Sequence, residues 1–551
     1  MDQLLAPASS AWTDPDRDCG AGAGAGPEAG AGLRAGAPGP RADARTVGGL
    51  LSRRAGSHPR RPCLERAGGD RTESYARVRA LADRWSALLD DLGVAPGATV
   101  GLALSEPVDF ALVFLAVIAA GRVAAPLDPK ATGPELTAVC RRVRPRLVLA
   151  DAERPQRVEV AWLPLPRGSA TPEAAGPGRL MEPVGAPGGG APAADGDGGV
   201  ILSTSGTTGA PKLIRLHERQ LLHTARSVAQ AHELSEADRG FNPLPLFHIN
   251  AEVVGLLATI VAGGTIVLDD RFHREGFWEA VAAHRVTWIN AVPAILARLD
   301  SLEEGEKVPS SLRFARSASA PLPPAVLERF ERTTGVPVVE TYGMTEAASQ
   351  ITANPLRGPR KKGSVGIAVG SEVQVRIDAC DQRVVPARRL GRVVVRGPGV
   401  IRAYAGPGYE DRIDPDGWLD TGDIGFLDDD GYLFLAGRSD DVINRGGEKI
   451  HPREIEDVLL SDPEVVAAVV VGREHPRLGE VPVAYLVPAS IEGSGAEDLV
   501  ERAKARCAAG LSRVKWPAAY EVVAGLPRGA TGKVWRSRVQ EGPAIYSSSV
   551  Q

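Results

Sequence analysis

The sequence predicts an α/β fold, with a smaller β-rich stretch and an α+β unit toward its C-terminal end. Three observations carry this. Apolar strand-like and helical segments alternate from about residue 46 to 150, and again from Val200. That spacing is the pattern of strands paired in parallel through crossover helices. From about 371 to 435 the character changes to short alternating strands with Gly and Pro turns. After Gly437 a helix-then-strand unit opens and runs to about 540. At 551 residues the chain is also too long for one ordinary domain.

The elements follow in order. Residues 1–45 include GAGAGAGPEAGAGLRAGAPGPRA, which holds too little apolar surface to offset its ordering entropy, so a disordered Ala/Gly/Pro-rich tail is expected. Tyr75 to Leu92 has helical spacing and stops at Gly93. ATVGLAL (98–104) and RLVLAD (146–151) read as strands around a buried helix from Phe110 to Ala120. A loose connection at about 165–198, with GSATPEAAGPG and GAPGGGAPAADGDGG, is expected to hold no packed structure. TIVLDD (265–270), VTWINAV (286–292) and VPVVETYG (336–343) read as strands, with PPAVLERFERTTG as a helix among them. EVQVRID, GRVVVRG and GYLFLAG form the small β subdomain, and HPREIEDVLLSDPEVVAAVVVG reads as helix then strand.

Composition narrows the function classes. Lys and Arg total 64 against 68 Asp and Glu, a net charge of −4, which argues against a generic nucleic-acid binder. The five cysteines (Cys19, Cys63, Cys140, Cys380, Cys507) are scattered singly without a CxxC, so neither a disulfide framework nor a cysteine zinc site is indicated. The run from Phe110 to Ala120 is too short for a membrane span of ~20 residues. MDQLLAPASSAWTDPD lacks the basic and apolar regions of an export signal, so a cytoplasmic protein is expected.

The strongest local signal is STSGTTGAPK, residues 203–212, directly after the apolar GVIL. Ser203, Thr204, Ser205, Gly206, Thr207, Thr208 and Gly209 supply hydroxyls and free backbone N–H groups, and Lys212 adds a cation. That combination suits a polyphosphate. It is not a Walker A loop, because Lys212 follows Pro211 and precedes Leu213. Taken alone, the segment also reads as a ligand-free Ser/Thr/Gly turn.

Further motifs follow it in order: LFH (246–248), SASAP (317–321), ETYGMTE (340–346), DGWLDTGD (416–423), GRSDDVINRGGEK (437–449) and LPRGATGK (526–533). The ordered set resembles the adenylate-forming (AMP-binding) superfamily from about residue 46 to 540, in its acyl-CoA synthetase branch. The pieces RFARSASAPL, TWINAVPAIL, YGMTEAASQ and GRSDDVINRGGEKIHPREIE look most like oxalate-CoA ligase-type enzymes.

The resemblance implies a large multi-sheet N-terminal ATP- and acid-binding domain (46–438) and a small mobile C-terminal domain (439–545), with Asp440 as the hinge. It implies that Tyr342 stacks on adenine, that Ser319, Ala320 and Pro321 touch adenine through their backbone, and that Asp423 and Arg438 hold the ribose. Thr345 would lie near the α-phosphate, and Glu346 would hold Mg²⁺. Lys533 would stabilise the charge that builds as pyrophosphate leaves. His248 would position the carboxylate or the incoming thiol. Asn250, Asn290, Ser317, Gly343 and Ser349 would line the acid pocket, and Gly446 and Gly447 the CoA tunnel after domain alternation.

The chain departs from the oxalate group in three places. Leu213 follows Lys212 where Gly is usual, Asn250 and Ala251 replace HisGly, and Ser349 replaces a His. A His lost there removes a cationic donor to a second carboxylate, which weakens the case for oxalate itself. Glu252 adds polar character near the expected pocket. The expected activity is therefore ATP-dependent activation of a small or aromatic carboxylate, with ATP and Mg²⁺ as cofactors and CoA as acceptor. The alternatives are transfer to a separate carrier protein, or a diazotase that activates nitrite for an arylamine in secondary metabolism. A non-catalytic nucleotide-binding relative is disfavoured by the retention of Lys212, Glu346, Asp423 and Lys533.

Overall fold

The computed structural model describes residues 45–151, 155, 159–175, 181, 197–204, 212–370, 372–378, 384–489, 495–528 and 534–549. The tail expected at 1–45 lies almost wholly outside them.

The largest sheet has nine strands among the described residues. Its six central strands run parallel, in the spatial order Val338–Met344, Phe314–Ser317, Trp288–Ala291, Arg239–Asn242, Thr265–Leu268 and Pro62–Arg66. Parallel strands are covered on both faces, and so read as unbroken apolar runs rather than alternating ones. Thr265–Leu268 and Trp288–Ala291 are indeed buried at every position. Ser349–Ala353 and Ile367–Ala368 extend one edge antiparallel.

A second sheet pairs Ala161–Pro164, Leu147–Ala150, Thr99–Ala103, Val123–Pro126 and Gly199–Thr204 in parallel, then adds Lys212–His217 antiparallel. The apolar helix runs Pro107–Ala119, starting earlier than the sequence pattern predicts. Glu106 moves the start: its carboxylate accepts from Asp109 N at 2.7 Å, and Pro107 suits a first helical turn. Every residue from Pro107 to Ile118 is buried. Among the described residues no helix is long and apolar enough to cross a membrane.

The expectation of no packed structure at 165–198 fails for its first part. Leu165, Ala170 and Ala175 are buried in the main core, and Pro172–Ala175 is a short helix. The buried Asp109 accepts from Gly168 N at 2.6 Å and Ala170 N at 3.1 Å, and Trp85 Nε1 donates to Ala170 O at 3.1 Å. Composition alone does not reveal these partners, because Asp109 and Trp85 lie far away in sequence.

The β-rich stretch is an antiparallel sheet of Gln374–Asp378, Arg392-containing Gly391–Arg396, Leu419–Leu427 and Leu433–Arg438. After it, Pro452–Leu459 and Ala496–Gly510 pack on a mixed sheet built on the long strands Val465–His475 and Gly479–Pro488. This sheet has its own apolar core around Ile455, Leu459, Val470, Leu486 and Tyr520. The whole is α/β, with large multi-sheet and small α+β parts.

Candidate active site

The hairpin Gly199–Thr204 and Lys212–His217 brings Thr204 directly opposite Lys212. The Ser/Thr/Gly loop therefore leaves and returns at one point. Ser205, Gly206, Thr207, Thr208 and Gly209 lie outside the described residues, as does Lys533. Ser203 is tied back to the scaffold, its Oγ 2.8 Å from Arg142 Nη1.

Lys212 reaches across to the other large sheet. Its Nζ stands 3.3 Å from Glu346 Oε1. The Tyr404 hydroxyl donates to that same oxygen at 3.3 Å. The ammonium also lies 5.5 Å from the Tyr404 ring centre and 4.9 Å from that of Tyr409. Cation and carboxylate thus share a cradle of two aromatic faces. Burial and then the Glu346 charge push the Tyr404 phenol well above its ordinary pKa, so it stays a donor. Sequence reasoning missed both tyrosines. The signal available was YAGPGY at 404–409, two aromatics across a Gly/Pro turn.

A second group gathers Tyr342, Asp423, Arg438 and Asp440. Antiparallel pairing puts Asp423 opposite Arg438, with Arg438 Nη1 3.3 Å from Asp423 Oδ1. The Tyr342 hydroxyl donates to Asp423 Oδ2 at 2.5 Å. Burial first, and the Asp423 charge second, raise the Tyr342 phenol well above its ordinary pKa. Arg438 Nη2 also lies 3.8 Å from Asp440 Oδ2, in the one-turn helix Ser439–Asp441. One guanidinium therefore joins the expected ribose carboxylate to the expected hinge.

Beyond Phe314–Ser317 the chain turns through Ser319, Ala320 and Pro321, all exposed. Ser319 takes a left-handed φ of +71°, and Asn250 Nδ2 donates to its Oγ at 3.3 Å. Thr345 and Glu346 form the short helix Thr345–Ala347 directly after the strand bearing Tyr342.

The expected pocket residues divide. His248 lies two residues before Asn250, the first residue of the wide-turn helix Asn250–Leu257, with Ile249 between them. Asn290 is fully buried and committed to the scaffold: its Oδ1 accepts from Arg316 Nη1 at 2.8 Å, and its Nδ2 donates to Asn242 Oδ1 at 2.9 Å. Ser317 and Ser349 are also buried, the latter with a left-handed φ of +97°. Gly343 is there for the backbone. A Cβ on it would meet Ser349 O at 1.6 Å, where the strands Val338–Met344 and Ser349–Ala353 close on each other. Gly446 and Gly447 have φ of +60° and +94° in the two-residue turn between Ile443–Arg445 and Glu448–Ile450. A hairpin of that length favours Gly at both positions. Glu252 is fully buried, and among the described residues neither of its oxygens has a hydrogen-bond partner; burial raises its pKa well above the ordinary range.

The profile of the AMP-binding enzyme family matches residues 51–405, and that of the AMP-binding enzyme C-terminal domain matches 454–533. The chain belongs to the AMP-binding enzyme family. It is 34% identical over 513 residues to a sulfoacetate–CoA ligase of Cupriavidus necator, covering 90% of this chain and 97% of that one. It is 35% identical over 524 residues to an oxalate–CoA ligase of Arabidopsis thaliana, covering 91% and 99%. Among solved structures it resembles the o-succinylbenzoate CoA synthetase of Bacillus subtilis in complex with the acyl-adenylate OSB-AMP. There the TM-score is 0.76 at 30% identity, over 90% of this chain and 98% of that one. This member of the adenylate-forming enzymes thus falls in the acyl-CoA synthetase branch.

Proposed function

We propose that the protein activates a small or aromatic carboxylate with ATP and passes the acyl group to CoA. A carboxylate oxygen bonds to the α-phosphorus as the bond to pyrophosphate breaks. The CoA thiol sulfur then bonds to the acyl carbon, its proton is lost, and AMP leaves. The observation that carries this reading is the Lys212–Glu346 pair at the root of the Ser/Thr/Gly hairpin. It holds a cation for phosphate oxygens beside a carboxylate.

Glu346 and the half-buried Thr345 are hard oxygen donors that suit Mg²⁺, which when bound would neutralise phosphate charge. The o-succinylbenzoate enzyme has also been solved with ATP and a magnesium ion. In this reading Lys212 leaves Glu346 for the phosphates, Tyr342 offers its face to adenine, and Asp423 with Arg438 holds the ribose. Ser319 to Pro321 line the base, His248 and Asn250 the acid, and Lys533 supports departure of pyrophosphate. Residues 46–438 then form the ATP- and acid-binding domain, and 439–545 the mobile domain. Asp440 is the hinge that brings Gly446 and Gly447 to the thiol.

The test is ATP conversion to AMP and pyrophosphate over a panel of acids, with and without CoA, with Lys533→Ala as control. CoA-dependent thioester formation, lost in the control, is expected. Transfer to a carrier protein instead of CoA would leave adenylation intact and correct the acceptor. Turnover of nitrite with an arylamine that ignores CoA would replace the reading with the diazotase one; the CoA ligases among the relatives count against it.

A further inference from the structure

Arg316 lies on the wholly buried strand Phe314–Ser317 and is 1% exposed. Nothing in the function above uses it. Its Nη1 donates to Asn250 Oδ1 and to Asn290 Oδ1, each at 2.8 Å, and its Nε donates to Gln350 Oε1 at 3.0 Å. Its Nη2 makes no hydrogen bond among the described residues. All three partners are neutral amides.

Among the described residues no carboxylate pairs with Arg316. The buried His232 shares Gln350 Oε1 at 3.2 Å, and its pKa is pushed down to about 3 by burial and by Arg316, so it adds no charge. Burial lowers the pKa of the Arg316 guanidinium to about 9. The node is instead rich in donors. Among the described residues, Gln350 Nε2 and Ser317 Oγ are buried without a partner. A buried cation with surplus donors and no carboxylate is costly unless an anion completes it.

The geometry ties this node to the acid. Asn250 bridges Arg316 to Ser319 of the adenine turn, Ser317 is the next residue in the chain, and Ser349 adjoins Gln350. The reacting carboxylate is a poor counter-charge for such a cation. It becomes a neutral ester-like carbonyl on adenylation, so a cation fixed on it would favour the ground state. An anionic group that takes no part in the reaction keeps its charge from binding to product. A cation serving that group strengthens binding uniformly, lowering KM and leaving kcat alone.

We propose that Arg316 determines acid specificity, selecting acids that carry a second anionic group, carboxylate or sulfonate, beside the carboxylate that is activated. This rests on the carboxylate–CoA ligase reading given above. Arg316 also supplies the cation that Ser349 fails to supply in place of a His.

The full chain is assayed with ATP, Mg²⁺ and CoA on matched acids: malonate, succinate and sulfoacetate against propionate and butyrate, and phthalate against benzoate. Wild type should prefer at least one dianionic acid over its matched monoanion by tenfold or more in kcat/KM. Arg316→Met should raise KM for that acid at least tenfold, with kcat and the KM for ATP within about twofold. Arg316→Lys should recover part of the loss. A preference of the wild type for monoanions overturns the proposal, whether or not the variants fold. Equal losses for dianions and monoanions, or a KM for ATP that rises in step, would also overturn it and leave Arg316 as scaffold only. Absence of CoA-dependent turnover with every acid, alongside turnover of nitrite, would instead remove the underlying ligase reading.

Discussion

Replacing Glu340 with Gln tests whether burial governs the strand that carries Tyr342. Glu340 lies on Val338–Met344 and is 4% exposed. Burial pushes its carboxyl up to about 7 from an ordinary 4.5; opposing this, Arg453 supplies an opposite charge and Leu322 N donates to Oε1 at 3.4 Å. Asp457, on the same helix as Arg453, adds a like charge. The sign follows from linkage. Between these two pKa values the unfolded chain has lost the proton while the folded chain keeps it, so folding takes up a proton. The stabilisation is complete below about 4.5 and is lost as pH rises through about 7. A pKa difference of about 2.5, at ~1.36 kcal/mol per unit, corresponds to about 3 kcal/mol. Gln mimics the protonated acid at every pH. Thermal midpoints of wild type and Glu340→Gln at pH 5, 6, 7 and 8 should therefore diverge, the variant gaining by a few degrees by pH 8. A midpoint difference that stays flat with pH would refute the reasoning. A wild type that gains over the variant as pH rises would show that pairing with Arg453 outweighs burial.

Three further outcomes follow from the site. Tyr404→Phe removes one donor from Glu346 Oε1 and leaves the ring over Lys212. A hydrogen bond to a charged group is worth roughly 1.5–3 kcal/mol, so the KM for MgATP should rise about tenfold or more, which steady-state kinetics will read. Asp423→Ala strips the acceptor from both Tyr342 and Arg438, so nucleotide binding measured by calorimetry should fall by more than it does in Asp423→Asn. Gly343→Ala forces a Cβ against Ser349 O, and should lower the melting midpoint more than any surface Gly→Ala change. A variant that melts like wild type would mean that the two strands can part without cost.

Much of the fold was legible in the sequence because it is written locally. The strands at 99–103, 147–150, 265–268 and 288–291 are short apolar runs bounded by turn residues, and the helices stop near Gly93, Gly121 and Gly335. The family was legible because its motifs are contiguous and ordered along the chain. The boundary of Pro107–Ala119 and the packing of 165–175 were not, since each depends on a partner such as Glu106 or Asp109 that periodicity does not mark.

The site shows the same division. By itself the sequence determined the family and picked out the residues expected at phosphate, ribose and adenine: Lys212, Glu346, Asp423, Arg438 and Tyr342 all occur in motifs. Only the tertiary structure decided their company. It set Lys212 on Glu346 between Tyr404 and Tyr409, hung Tyr342 on Asp423, and joined Asn290 to Arg316. The physical reason is that a hydrogen bond or a buried charge is a relation between residues distant in the chain. Lys212 and Glu346 are 134 positions apart, and Arg316 and Asn250 are 66. Local chemistry names the donors and acceptors, and the pairing of sheets selects which of them meet.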